Sequence, residues 1–123
     1  MTARTEGERA TTDTNALVRA MSQWIDGSPE NRARTPEALL WGRVAKVAEE
    51  SGEVIAALVG ATGQNPRKGV SATMRDVERE LLDVALTALC AVEHLHAADD
   101  APTDVMALLA AHAESVARRA GLA

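Results

Sequence analysis

The sequence predicts an all-α bundle of about four main helices. Ala, Leu and Val are abundant, whereas Phe and Tyr are absent and Trp occurs only twice. Such a composition favours helix, and its small side chains let helices approach closely. Apolar residues recur at helical spacing in four stretches. Capping residues, glycines and prolines fall at the ends of those stretches. The length of 123 residues suits one domain, and a 46% hydrophobic content is enough for a core.

Residues 1–13, MTARTEGERATTD, are polar and aperiodic, and are expected to be a flexible tail ahead of a single domain at 14–123. The first helix is expected over 15–26, with Leu17, Met21, Trp24 and Ile25 at helical spacing and Gly27, Ser28 and Pro29 as the stop. The second spans 34–60. Thr35 suits its N-cap, Pro36 its first position and Glu37 the positive end of its dipole. Leu40, Val44, Val47, Val54 and Leu58 form its apolar stripe, and Gly60 and Gly63 end it. Residues 61–72 read as a loop. The third helix covers 73–97, with Thr73 as cap and Asp76 completing a capping box. Its second half is apolar nearly all round, so it should be the most buried element. After Asp99, Asp100, Ala101 and Pro102, Thr103 is expected to cap the last helix, which ends near Gly121.

A net charge of −5 argues against general affinity for nucleic acid or an anionic membrane. The single cysteine, Cys90, cannot form an internal disulfide and reads as a small buried hydrophobe. No apolar run is long enough to span a bilayer, and no signal-peptide core is visible, so a cytoplasmic protein is expected.

Against this background the acids stand out. Glu50 and Glu53 lie three apart on the second helix, with Glu49 beside them; Glu80 and Asp83 lie three apart on the third. Residues so spaced share a helix face. Glu50 and Glu53 border the apolar stripe, and Asp83 is flanked by Leu81, Leu82, Val84, Ala85 and Leu86. A carboxylate near a core carries a desolvation cost of several kcal/mol unless paired, and only Lys46 and Arg79 are nearby bases. Two antiparallel helices that each offer such a pair make an oxygen-rich cage, suited to Mg²⁺ with Mn²⁺ as the alternative. The bland reading of the same residues is a solvated acidic face.

The run EESGE at 49–53, followed by ELLD at 80–83, resembles the EExxE…ExxD signature of the MazG-like all-α nucleoside triphosphate pyrophosphohydrolases. The resemblance covers roughly residues 36–97. It implies a Mg²⁺-dependent enzyme that splits a (d)NTP with water into (d)NMP and pyrophosphate, a housecleaning activity on the nucleotide pool. It implies Glu50, Glu53, Glu80 and Asp83 as metal ligands, with Glu50 and Glu49 counted as catalytic. Glu49 would stand behind the ligands or help activate the attacking water. It also implies a homodimer or homotetramer with sites near subunit interfaces. The chain departs from the pattern in having no Phe or Tyr to stack on a base.

Lys46 lies just upstream of the first acids, and Arg67 and Lys68 sit between glycines in the 61–72 loop. All three are candidates for phosphate binding. For Arg67 and Lys68 an ordinary basic turn is the equal alternative, and no Walker A motif is present. Trp41 and Trp24 are both candidate base-stacking residues, with a place in the core the favoured reading for Trp24. Two other readings compete. Glu93 and His96 form one half of a di-iron ExxH pattern, but no second half exists. A non-catalytic helical module that oligomerises through Ala/Leu faces would leave the acids as a solvated strip.

Overall fold

The computed structural model describes residues 13–123. Within them the chain forms α1 (Thr14–Asp26), α2 (Pro29–Arg32), α3 (Pro36–Thr62), α4 (Met74–Leu95) and α5 (Val105–Arg119), with no strand among the described residues. The expected tail lies outside that range except for Asp13. Its carboxylate accepts from Ala16 N and caps α1.

Local chemistry sets most of the ends. Thr35 caps α3 with Pro36 at the first turn. Thr73 and Asp76 close a reciprocal capping box on α4. Three boundaries differ from expectation. Ser28 and Pro29, read as a stop, also start a helix: the Ser28 hydroxyl accepts from Asn31 N and opens the one-turn α2. Gly60 lies inside α3, which continues to Thr62 and ends at Gly63 in the left-handed region (φ 64°). Gly60 is there for space. A Cβ on it would come 2.9 Å from Ser71 Oγ, and Ser71 N donates to its carbonyl at 2.9 Å as the chain turns back. Finally, Asp104 rather than Thr103 caps α5, because its carboxylate reaches Ala107 N at 2.8 Å.

The helices α3 and α4 form an antiparallel hairpin: Arg43 meets Cys90 at one end and Gly60 meets Ser71 at the other. α1 crosses the C-terminal half of α4. Val18, Cys90 and Val105 form the fully packed core, flanked by Met21, Leu86, Leu89 and Val92. α4 holds more buried residues than any other helix, as its apolar run predicts. Asn15 bonds the Asp104 carboxylate and accepts from Met106 N, fastening α5 to α1.

The inner seam of α3 is not the expected stripe. Val47 and Val54 are half-buried, but Leu40, Val44 and Leu58 are exposed. The helix instead turns Arg43, Val47, Glu50, Val54 and Ala57 inward, steps of four and three that keep to one side of a 3.6-residue turn. Two charged side chains can occupy that seam because each finds partners there. Arg43, 6% exposed, donates to Ser22 O, Ser22 Oγ, Asp26 and Cys90 O. Glu50 has the Lys46 ammonium 3.6 Å from its Oε1.

Candidate metal centre and adjoining cleft

The antiparallel hairpin brings the two acid-bearing stretches together. Glu50, Glu80 and Asp83 each offer a carboxylate oxygen within 4.8 Å of the others, and all three are half-buried. Asp83 and Glu80 sit one turn apart on α4, and Glu50 faces them from the inner seam of α3. Glu80 Oε2 is buried and has no hydrogen-bond partner. The only base in contact is Lys46, whose Nζ lies 3.0 Å from Glu49 Oε1 and 3.6 Å from Glu50 Oε1. The hydrogen bond to Glu49 raises the Lys46 pKa, so the amine stays charged.

Three converging carboxylates, only one of which, Glu50, has an ammonium beside it, leave net negative charge at a partly desolvated point. That arrangement offers a set of ligands for a cation. The donors are hard oxygens without Cys or His, which fits Mg²⁺ or Mn²⁺ rather than a soft metal. The buried unpartnered oxygen of Glu80 is the group such an ion would satisfy. Glu53, expected beside Glu50, is exposed and outside the cluster. The inner seam of α3 runs from Val47 through Glu50 to Val54, and Glu53 lies beside it on the solvent side. Glu49 is exposed and engaged with Lys46.

Next to the acids lies a cleft of about 500 Å³ between α1, α2, α3 and α4. Glu50 and Lys46 belong to its wall, together with Met21, Trp24, Leu39 and Leu86. Trp24 is 79% exposed and lines this cleft, which corrects its expected place in the core. A four-helix arrangement with one-turn α2 has too little mass on that side to cover the indole. Trp41, 71% exposed, does not line the cleft. Arg67 and Lys68 are exposed on the turn between α3 and α4 and do not line this cleft.

Sequence reasoning passed over Asn31, Arg34 and Arg43, which also line the cleft. For Asn31 and Arg34 the available signal was the Ser-Pro pair that starts α2. For Arg43 it was its place four before Val47 and seven before Glu50 on one helix face. Arg43 is structural in effect, because its guanidinium is engaged by Ser22, Asp26 and Cys90, and Asp26 in turn lies 2.6 Å from His94 Nδ1.

The di-iron pattern does not assemble. Glu93 is buried in an ion pair with Arg19 at 3.6 Å, and His96 pairs with Asp99 at 2.8 Å. Among the described residues no other group of three potential ligands converges. No helix among the described residues is long and apolar enough to cross a membrane. Compared with protein-family models, curated proteins and solved structures, the chain has no significant match.

Proposed function

We propose that the carboxylate cluster and the adjoining cleft form the active site of a Mg²⁺-dependent nucleotide pyrophosphohydrolase, which converts a (d)NTP and water into (d)NMP and pyrophosphate. The observation that carries this reading is the convergence of Glu50 from one helix with Glu80 and Asp83 from another, Glu50 also lining a cleft of about 500 Å³. The motif resemblance supports it independently of the geometry.

In this reading Glu50, Glu80 and Asp83 hold the ion, and Glu53 joins them by a side-chain rotation from its exposed position. A bound Mg²⁺ supplies charge neutralisation at the phosphates. Glu49, held by Lys46, stands behind the ligands or takes a proton from the attacking water. Lys46 offers its ammonium to a phosphate oxygen as the triphosphate approaches. The apolar wall of the cleft takes the base and sugar, with the Trp24 indole as the stacking surface that the missing Phe and Tyr do not provide.

A panel of common and modified (deoxy)nucleoside triphosphates with Mg²⁺, read out as pyrophosphate against orthophosphate, tests the proposal. The expected result is pyrophosphate release by the wild-type chain and loss of at least about 100-fold in Asp83→Asn, the scale of removing a group that stabilises transition-state charge. Absence of turnover across the panel, with no metal binding, returns the chain to the non-catalytic helical module.

A further inference from the structure

A second cleft, of about 280 Å³, lies across the Asp26–Arg43 pair from the first: Arg43 lines the first cleft and Asp26 this one. Its walls are α1, the end of α4 and the connection that leads to α5. Four carboxylates line it, those of Asp26, Glu93, Asp99 and Asp100, against one guanidinium, that of Arg19. Asp26 is engaged on both oxygens, one by Arg43 and the other by His94. Asp99 keeps one oxygen on His96 at 2.8 Å, and Asp100 beside it is exposed.

Glu93 is the unsatisfied member. Its side chain is only 8% exposed, and its Oε1 stands 3.6 Å from Arg19 Nε, beyond hydrogen-bond reach. Its Oε2 is buried with no partner, and Arg19 Nε is unpartnered as well. Closing that gap would satisfy Nε and Oε1 and still leave Oε2 bare. A buried carboxylate oxygen without a donor carries its full desolvation cost. The last torsion of a glutamate is soft, so a small turn presents this oxygen to a donor seated in the cleft. The space is far larger than one water, whose share of liquid volume is about 30 Å³.

The donor set narrows the ligand. A metal ion wants several oxygens converging on one point, and among the described residues only Glu50, Glu80 and Asp83 converge so. Here the acids are spread over two helices and a connection, which suits a cation whose N–H groups point in different directions. We propose that this cleft binds a small organic cation, a protonated amine or a guanidinium on a short apolar stem. Glu93 is its inner acceptor, and Asp99 and Asp100 are the outer ones. Ala97 and Pro102 line the same cleft and give the stem its apolar contact. The site does not depend on the enzymatic reading and is tested without substrate.

Titration calorimetry of the full chain with methylguanidinium chloride and with ethylammonium chloride, at constant ionic strength, gives the measurement. Saturable binding of one equivalent at millimolar concentration is expected for at least one of the two. Tetramethylammonium has the same charge but no N–H, and should bind at least about 10-fold more weakly, the scale of a hydrogen bond to a charged group. Glu93→Gln should weaken binding of the N–H cation by at least about 10-fold for the same reason. Asp83→Asn should bind it as the wild type does. No saturable binding of either probe at tens of millimolar overturns the proposal, as does tetramethylammonium binding equally well. Loss of binding in Asp83→Asn with Glu93→Gln unaffected moves the cation to the carboxylate cluster and also overturns it. Should Glu93→Gln not fold, Asp100→Asn decides, because that position is exposed. Affinity there should fall about twofold or more, the scale of an exposed ion pair; unchanged affinity sinks the site.

Discussion

Arg43 Nη1 lies 2.6 Å from Asp26 Oδ1, and the other oxygen of the same carboxylate lies 2.6 Å from His94 Nδ1. One aspartate at the end of α1 thereby joins α3 to α4. The Arg43 guanidinium adds bonds to Ser22 and to the Cys90 carbonyl at 2.9 Å. Arg43 is thus the bolt that holds three helices around the cleft.

Removing it leaves the partly buried Asp26 with His94 as its remaining partner and takes one donor each from the Ser22 and Cys90 carbonyls. Loss of one member of such a buried pair costs about 3–5 kcal/mol. Arg43→Ala should therefore lower the melting temperature by at least about 10 °C. Lys in its place should recover only part of this, since an ammonium cannot reach all four acceptors at once. An Arg43→Ala protein that melts with the wild type would remove the network from the account of stability.

Divalent metal should stabilise the fold by mass action. At a hundredfold excess over Kd the gain is about 2.7 kcal/mol, several degrees in melting temperature for Mg²⁺ or Mn²⁺. Asp83→Asn should abolish the response. Without metal that variant should be at least as stable as the wild type, because one carboxylate of a crowded group is neutralised. A melting curve indifferent to millimolar Mg²⁺ and Mn²⁺ speaks against the centre.

The two tryptophans separate the cleft from the rest of the surface. Trp24→Ala should raise KM for a nucleotide substrate by roughly 10-fold, as expected for a lost stacking contact of 1–2 kcal/mol. Its effect on the melting temperature should be small, because the indole is exposed. Trp41→Ala should leave KM within about twofold, because its indole does not line the cleft. Equal effects of both on KM would place the substrate elsewhere.

The acid limb of stability should trace to helix caps. The backbone hydrogen bond at Thr73 lowers the Asp76 pKa, and the one at Ala107 lowers that of Asp104, each from 3.8. A carboxylate depressed in the folded state contributes above its unfolded pKa and loses that contribution as pH falls through the folded value. Urea midpoints should thus fall as the pH drops below about 4, and Asp76→Asn/Asp104→Asn should show a shallower fall. Superimposable acid limbs would exclude the caps as the cause.

Much of this architecture is local chemistry and was readable before any coordinates. Thr35-Pro36 and the Thr73–Asp76 box start helices by satisfying their own backbone donors, so position in the chain is enough to find them. The two acid pairs were also visible as an anomaly, since charge beside apolar residues needs an explanation whatever the fold. What the chain order alone left open was decided by how α3 rolls against α4. That rotation buries Arg43 and Glu50, turns Val44 and Leu58 outward, and brings three of the four acids together while Glu53 stays in solvent. Helical periodicity fixes which residues share a face, but apolar positions on α3 occupy more than one face. The choice between those faces depends on ion pairs and carbonyls supplied by Asp26, Ser22 and Cys90, up to 47 residues away. Only packing can reveal partners at that distance.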